Sequence, residues 1–156
     1  MHTVTDQGTS LSEIERAYLA GIIDGEGTIG IYRGATSSDY LLRLIVTNTF
    51  FPMLEWIHAR IGGSLVPSGA ETDRHKQVWQ VVLFQARAGS VIQSCQPHLI
   101  VKSAQADLAM RFMADFVSFR GRGRPSEEQV AVRRWYYEQS LTLNERGGKG
   151  LRKNHA

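Results

Sequence analysis

Cysteine and long apolar runs are nearly absent from this sequence of 156 residues, in which Cys95 is the one cysteine. One cysteine cannot form a disulfide within the chain, and no cysteine–histidine group has zinc-site spacing. The longest apolar runs, such as 81–84, are far too short to span a bilayer. The first ten residues lack the apolar stretch of a secretory signal. We therefore expect an intracellular, reducing location and no membrane partner.

Acidic residues do not balance the basic ones, since the formal net charge is +3 and the sequence pI is about 9.2. Most of the basic excess lies between residues 111 and 153. It comprises Arg111, Arg120, Arg122, Arg124, Arg133, Arg134, Arg146, Lys149, Arg152 and Lys153. Such clustering is typical of a polyanion-binding protein. Charge alone leaves open the alternative of a solvated surface with a basic tail.

The apolar periodicity predicts helices and strands in a definite order. Ser12 and Glu15 have the spacing of a capping box, and the helix that follows them is predicted to end at Gly25 and Gly27. Strands are predicted over 28–33, 40–47, 64–68 and 77–84, and further helices over 51–61, 87–95, 103–119 and 126–143.

This order predicts the fold class α+β, a mixed α/β arrangement αββαββα with an extra C-terminal helix. Four antiparallel strands would carry helices on one face and leave the other face open. We expect a disordered N-terminus over 1–10, a single domain over 11–144 and a flexible basic tail over 145–156.

The segment 19–27 combines small residues with two acids near the end of the first helix. Glycine within a helix lowers helix stability by about 1 kcal/mol relative to alanine. The close packing of a second helix against these small residues would offset that loss. If that helix came from a second copy, a two-fold axis would bring Asp24 or Glu26 near its counterpart, and paired carboxylates favour a cation such as Mg²⁺. The alternative is a glycine-rich turn with two solvated acids.

The same segment resembles the LAGLIDADG motif of homing endonucleases. The matching positions are Leu19, Ala20, Gly21, Ile23, Asp24 and Gly27. The resemblance continues in the residues Val-Thr-Asn at 46–48, in Ile61 followed by two glycines, and in the segment 96–102 followed by Gln105 and Ala106. Together these stretches cover about 11–119.

The resemblance implies a site-specific nuclease that hydrolyses both strands of a long, roughly palindromic double-stranded DNA target with Mg²⁺ or Mn²⁺. Only one copy of the motif is present, so the expected form is a homodimer with half an active site in each chain. The implied fold is the αββαββα homing-endonuclease fold with a saddle-shaped sheet. The implied setting is an intron-encoded protein of a bacterial or phage cytoplasm or of an organelle, either chloroplast or mitochondrion.

By the same resemblance, Glu26 is the metal ligand, with the main-chain carbonyl of Gly25 as its companion. Lys102 corresponds to a basic catalytic residue, although it could be an ordinary exposed lysine before a helix. Asn48 corresponds to a residue that positions the attacking water, although an asparagine here could equally cap the next helix. Asp24 occupies the acidic position that is more often structural.

DNA recognition is expected on the strands, because a two-stranded ribbon fits the major groove. The candidates are Tyr32, Arg33, Arg43, Arg74, Lys76 and Gln80. A slip of one residue in strand phase would move any of them to the other face. The expected dimer-interface residues are Leu19, Ala20, Gly21, Asp24 and Gly25.

Two other functions fit parts of the pattern. One is an intron RNA maturase or a non-cleaving DNA-binding regulator on the same fold, with intron RNA as a partner in the first case. The other is dinucleotide binding, because residues 25–30 match G-x-G-x-x-G. That fingerprint requires a preceding strand and a following helix, and the order predicted here is the reverse.

Overall fold

A computed structural model describes residues 10–36, 38–118 and 123–145. The helices are α1 (Glu13–Glu26), α2 (Phe51–Ile61), α3 (Gln85–Cys95), α4 (Ser103–Ser118) and α5 (Glu127–Asn144). The strands are β1 (Gly27–Arg33), β2 (Tyr40–Asn48), β3 (Ser64–Ser68) and β4 (Val78–Phe84), which form one antiparallel sheet in the order β1-β2-β4-β3. This confirms the predicted mixed α/β fold class.

Helix α1 begins at the predicted capping box. The Ser12 hydroxyl accepts a hydrogen bond from the Glu15 N–H at 3.2 Å, and the Glu15 carboxylate accepts one from the Ser12 N–H at 3.0 Å. The helix runs to Glu26, and Gly27 turns directly into β1. A Cβ at Gly27 would lie 2.8 Å from the main chain of Ile23, so only glycine fits this abrupt change from helix to strand.

The sheet has one covered face and one open face. Along β2, Tyr40, Leu42, Leu44 and Val46 are buried, and the alternate residues 41, 43, 45 and 47 are partly exposed. The buried set joins Ile29, Leu83 and the apolar sides of the helices in one core. Helices thus cover one face and leave the other open, as the sequence predicts.

Helix α5 covers the outer edge of β1. The Ser140 hydroxyl accepts a hydrogen bond from the Ile31 N–H at 2.9 Å, and the Asn144 amide donates one to the Ile29 carbonyl at 2.9 Å. These contacts satisfy main-chain groups that an edge strand otherwise presents to solvent, where another strand could pair with them. The added C-terminal helix therefore closes one side of the sheet.

The element boundaries differ from the predictions by a few residues. Strand β4 begins at Val78, one residue later than predicted, and the Gln77 side chain donates to the Gly69 carbonyl in the preceding loop and to the Val78 carbonyl. Helix α3 begins at Gln85, whose side chain accepts the N–H of Leu42 at 3.1 Å and fixes the strand-to-helix turn.

The predicted disordered N-terminus, apart from Ser10, lies outside the described residues. So do Phe119 at the end of the fourth predicted helix and the tail from 146 onward. Among the helices that are described, none is long and apolar enough to cross a membrane.

Candidate active site

A cleft of about 650 Å³ lies where the end of α1 meets the sheet, the loop before α4 and the end of α5. Two predicted site residues, Glu26 and Lys102, line the same cleft, together with the predicted metal-site residue Gly25. The remaining lining residues are Gly27, Thr28, Thr47, Val101, Gln105, Leu143, Asn144 and Glu145. Residues far apart in the sequence thus meet at the junction of helix and sheet.

Asp24 holds the loop that carries Lys102. Its carboxylate accepts hydrogen bonds from the N–H of Ile100 at 2.9 Å and from the N–H of Lys102 at 3.0 Å. The Lys102 ammonium in turn donates to the main-chain carbonyl of Asp24 at 2.6 Å. A cation at this carbonyl satisfies one of the unpaired groups at the helix end and complements the negative end of the helix dipole.

The charge of Asp24 is stabilised by this arrangement. Burial by itself would raise the pKa of Asp24. The main-chain hydrogen bonds from Ile100, Lys102 and Val101, together with the Lys102 ammonium, outweigh burial and lower the pKa below its usual 3.8. Asp24 therefore serves as an ionised anchor inside the chain, and its side chain is committed to the Lys102 loop.

Glu26 differs from Asp24 in having an uncommitted carboxylate. It is the last residue of α1, it is exposed, and it lines the cleft. Among the residues described, none forms a hydrogen bond or ion pair with its side chain. A free carboxylate at the negative end of a helix dipole is electrostatically suited to receive a cation.

The oxygen groups at the end of α1 fit Mg²⁺. This ion prefers oxygen ligands and is usually held by one or two carboxylates together with substrate phosphates. Glu26 supplies one carboxylate, and the carbonyl of Gly25 is one of the last four helix carbonyls, which have no partner within the helix. Within the described ranges no group of three or more His, Cys, Asp or Glu side chains is assembled.

Asn48 lies outside this cleft. It pairs with Trp79 in the sheet register, and its side-chain oxygen accepts the N–H of Phe50 at 2.8 Å just before α2. This is a local turn before the helix and not the helix cap offered as the alternative, because the N-cap of α2 is Phe50 and no side chain caps that helix. Its neighbour Thr47 lines the cleft instead, because successive strand residues point to opposite faces. The water-positioning role of Asn48 stays a prediction.

Three predicted DNA contacts share the open face of the sheet, which the register divides into rows across the strands. Thr47, Gln80 and Val66 form the row next to the cleft, followed by Thr28, Ile45, Val82 and Ser64, then by Gly30, Arg43 and Phe84, and last by Tyr32 and Leu41. Gln80, Arg43 and Tyr32 are therefore on one surface.

Arg43 is held between two aromatic rings on that surface. The centre of its guanidinium lies 4.8 Å from the Tyr32 ring centroid and 5.1 Å from that of Phe84. Gly30 makes room for the Tyr32 ring, since a Cβ there would lie 3.0 Å from it. The Arg43 Nε is buried without a hydrogen-bond partner among the described residues. Stacking on both sides restricts where the guanidinium can point.

The other three predicted DNA contacts are placed differently. Arg33 follows Tyr32 in β1 and therefore lies on the opposite face of the sheet, where it pairs with the buried Tyr40. Its guanidinium lies 5.1 Å from the ring centroid of Tyr137 in α5. Arg74 and Lys76 are exposed in the loop between β3 and β4. That loop also carries Glu71 and Asp73, so its charge is mixed.

The predicted dimer-interface residues Leu19 and Ala20 are fully buried in the core of their own chain. Their part in a dimer interface stays a prediction. The exposed stripe of α1 comprises Ile14, Ala17, Tyr18, Gly21 and Gly25, at helical spacing. Ile14 is 82% exposed and Tyr18 54%. Nothing lies within 4 Å of a Cβ built at Gly21 or Gly25, so this part of the helix is open to close approach.

Comparison with solved structures identifies the fold. The archaeal intron-encoded homing endonuclease I-Vdi141I, solved with DNA, superposes with a TM-score of 0.70 at 13% identity over 86% of this chain and 87% of that one. The homing endonuclease I-CvuI, in complex with its target in the presence of Ca, gives a TM-score of 0.66 at 15% identity over 86% and 85%. The chain has the LAGLIDADG homing-endonuclease fold.

Longer proteins with this fold match over about half their length. The LAGLIDADG homing endonuclease I-GzeII, in complex with its DNA target, gives a TM-score of 0.58 at 14% identity over 82% of this chain but only 43% of that one. No model of a protein family matches the sequence, and no curated protein matches it. The likeness is therefore one of structure at low sequence identity.

Three features of the open sheet face and of the exposed side of α1 were not predicted from the sequence. Thr47 and Phe84 were overlooked because their positions depend on strand phase, which the register alone fixes. The exposed Ile14 and Tyr18 were overlooked because the motif drew attention to the residues that match it. Their signal was present, since 14, 17, 18, 21 and 25 follow helical spacing on a face offset from Leu19 and Ile23.

Proposed function

We propose that this protein is a site-specific endonuclease that hydrolyses both strands of double-stranded DNA, as a homodimer and with Mg²⁺ or Mn²⁺. The observation that carries the proposal is the shared cleft of Glu26 and Lys102 at the end of α1, beside an open sheet face that contains Arg43. Two of the solved structures that share this fold, I-CvuI and I-Vdi141I, are homing endonucleases in complex with DNA.

In the proposed mechanism, Glu26 and the Gly25 carbonyl would hold the metal against a phosphate. When bound, the metal supplies Lewis-acid polarisation of the phosphate and a lowered pKa for water. Lys102 contributes positive charge near the phosphate as negative charge develops on its oxygens. Asp24 positions Lys102 through the loop contacts, so its role is structural. Thr47 joins the same wall of the cleft, where its hydroxyl can hydrogen-bond a water.

The proposed dimer is formed by the exposed stripe of α1. Gly21 and Gly25 allow two copies of the helix to approach closely, which brings the two Glu26 carboxylates toward a common axis. Beside the stripe, an apolar groove is lined by Phe50, Met53 and Trp56 with Ile14 and Tyr18. Burial of these exposed apolar groups would supply the driving force for association.

A two-fold dimer implies a matching target. Each open sheet face would lie in the major groove of one half-site, and the two half-sites would be related by the protein's own axis. We therefore expect a long and roughly palindromic DNA sequence.

The test is a selection of bound duplexes from a pool with a randomised central region, carried out in Ca²⁺ so that cleavage is suppressed. The expected result is a set of symmetric sequences that are cut in both strands when Mg²⁺ replaces Ca²⁺. The solution mass of the same preparation should be that of two chains. A monomer in the DNA-bound state would overturn the proposed active site.

Two other outcomes would replace the proposal. Selected duplexes that stay intact in both Mg²⁺ and Mn²⁺ would indicate a DNA-binding regulator. Tighter binding of structured RNA than of any selected duplex would indicate a maturase.

A further inference from the structure

The centre of the open sheet face is apolar. Ile45 is partly exposed and pairs in register with Val82, which is 6% exposed. Phe84 is 45% exposed and Val66 is 40% exposed on the same face. Leu41 and Val78 extend the apolar surface along β2 and β4. A face that carries this much apolar surface is unusual for one that would contact only phosphates and polar base edges.

The charges of this face fit a polyanion. Its polar side chains are Thr28, Tyr32, Arg43, Thr47, Ser64, Ser68 and Gln80. None of the side chains on these four strands is acidic, and Arg43 provides a cation. A second copy stacked on this face would bring two Arg43 groups together without compensating carboxylates. Charge complementarity thus favours DNA over another copy of the chain.

The apolar groups need an apolar partner in the DNA. Base edges in the major groove present hydrogen-bond donors and acceptors, and the thymine C5-methyl is the apolar exception. A polar base edge placed against Ile45 and Val66 would lose its water without gaining a partner. A thymine methyl placed there would bury apolar surface on both sides.

We propose that the open face reads thymine methyl groups through its accessible apolar side chains Ile45, Val66 and Phe84. This inference rests on the proposed binding of double-stranded DNA. Alternate residues on a strand are about 7 Å apart, which is close to two base-pair steps. Arg43 is the next residue along the same face of β2, so a guanine contact would lie about two pairs from the thymine contacts.

The test uses the selected duplexes resynthesised with deoxyuridine in place of single thymidines, which removes one methyl and changes no hydrogen bond. At one or more positions in each half-site, the dissociation constant in Ca²⁺ should rise about fourfold for each methyl removed, the factor equivalent to burying one CH₂ group. Positions outside the contacted thymines should be unaffected.

Two variants locate the reading surface. Ile45→Thr and Val66→Thr keep a β-branched side chain, but a hydroxyl replaces the ethyl branch of Ile45 and one methyl of Val66. In each variant, the factor by which deoxyuridine raises the dissociation constant should fall close to one at the thymine that the replaced side chain contacts. At the other thymines this factor should be unchanged. Leu141→Gln, which makes an exposed apolar residue of α5 polar, is the matched control and should keep the full penalty. Thermal unfolding of each variant checks that it is folded.

Equal affinity for thymine and uracil at every position would overturn the inference while leaving sequence-specific binding and cleavage intact. An unchanged penalty in both threonine variants would also overturn it, because the methyls would then be read elsewhere. If no duplex is selected, the proposed function is contradicted together with the inference. This outcome differs from equal affinity for thymine and uracil, which contradicts the inference alone.

Discussion

Asp24 and Lys102 are joined by two hydrogen bonds, each of which links the main chain of one residue to the side chain of the other. The Asp24 carboxylate accepts the Lys102 N–H at 3.0 Å, and the Lys102 ammonium donates to the Asp24 carbonyl at 2.6 Å. This reciprocal pair joins the end of α1 to the loop before α4. As a result, Glu26, two residues after Asp24, lines the same cleft as Lys102.

Replacing Asp24 by asparagine should destabilise the chain. Hydrogen bonds to a charged group contribute about 1.5–3 kcal/mol, and the neutral amide would keep only part of that contribution. We expect the free energy of unfolding at pH 7 to fall by about 1–3 kcal/mol, measured by urea denaturation. Asp107→Asn is a control that removes an exposed acid, the hydrogen-bond partner of the Gln96 amide, at a lesser cost.

The effect of Asp24→Asn should depend on pH in a defined direction. The pKa of Asp24 is lowered in the folded chain below its usual 3.8. Its stabilising contribution is therefore complete above about pH 4 and is lost as the pH falls through the folded pKa. The gap in unfolding free energy between the original chain and Asp24→Asn should be constant from pH 5 to 8 and shrink below pH 4, within the range where both remain folded. A gap that widens on acidification would contradict the anchoring role.

Lys102→Gln should impair cleavage much more than DNA binding. Its ammonium is expected to act on charge that develops at the phosphate, and removing such a group typically lowers kcat by about 10²–10³. The measurement is single-turnover cleavage of the selected duplex in Mg²⁺, alongside its dissociation constant in Ca²⁺. Lys76→Gln, which removes a charge from the exposed loop after β3, should instead weaken binding modestly and leave single-turnover cleavage at saturation unchanged. Equal losses of cleavage in the two variants would contradict a specific role for Lys102.

Gly21→Leu should weaken dimerisation without weakening the fold of a single chain. Leucine is a better helix former than glycine by nearly 1 kcal/mol, and a Cβ at position 21 meets nothing within 4 Å. In a dimer, the added side chain would hold the two α1 helices apart. Sedimentation should give at least about a tenfold higher dissociation constant, equivalent to 1.4 kcal/mol or more.

Gly27→Ala should have the opposite effect, since it should destabilise the single chain and does not act at the exposed stripe of α1. Its Cβ would lie 2.8 Å from the Ile23 main chain, so this variant should lower the thermal stability of each chain. If Gly21→Leu leaves the solution mass and dissociation constant unchanged, the exposed stripe of α1 is not the dimer interface.

Arg43→Lys should relax base preference at one base pair of each half-site. Lysine carries the same charge but lacks the planar fork that contacts guanine by two hydrogen bonds, an interaction that discriminates by about 1–3 kcal/mol. Phe84→Leu removes one of the two rings that hold the guanidinium and should relax the same position to a lesser extent. The measurement compares binding to single-base variants of the selected duplex. Loss of preference at all positions alike would indicate that Arg43 contacts phosphate only.

Local patterns predicted most of the fold. The capping box at Ser12 fixed where α1 begins, because it satisfies main-chain groups within four residues of sequence, and Ser126 with Gln129 forms the same box at the start of α5. Such signals depend on near neighbours, so a sequence carries them without knowledge of the fold.

The residues of the site could be predicted only where they match a family motif, because the contacts that bring them together join distant parts of the sequence. Glu26 and Lys102 were paired through resemblance, and the geometry brings them to one cleft across many residues of sequence. The burial of Leu19 and Ala20 within the chain was not indicated, because a motif records which residues recur and not which face of the helix each occupies. The stacking of Arg43 on Phe84 depends on the β2–β4 register, which no local pattern contains.

Cleavage by Glu26→Gln tests whether the Glu26 carboxylate is the metal ligand on which cutting depends. Glutamine keeps the size of the side chain but cannot offer a charged carboxylate to a metal ion. The selected target, cloned in supercoiled plasmid, should be linearised in Mg²⁺ by the original protein and by Glu128→Gln, a matched change at an exposed acid in the first turn of α5. The Glu26→Gln protein should bind the target in Ca²⁺ and leave the plasmid supercoiled in Mg²⁺. Linear product from Glu26→Gln at the rate of the original protein would contradict the account.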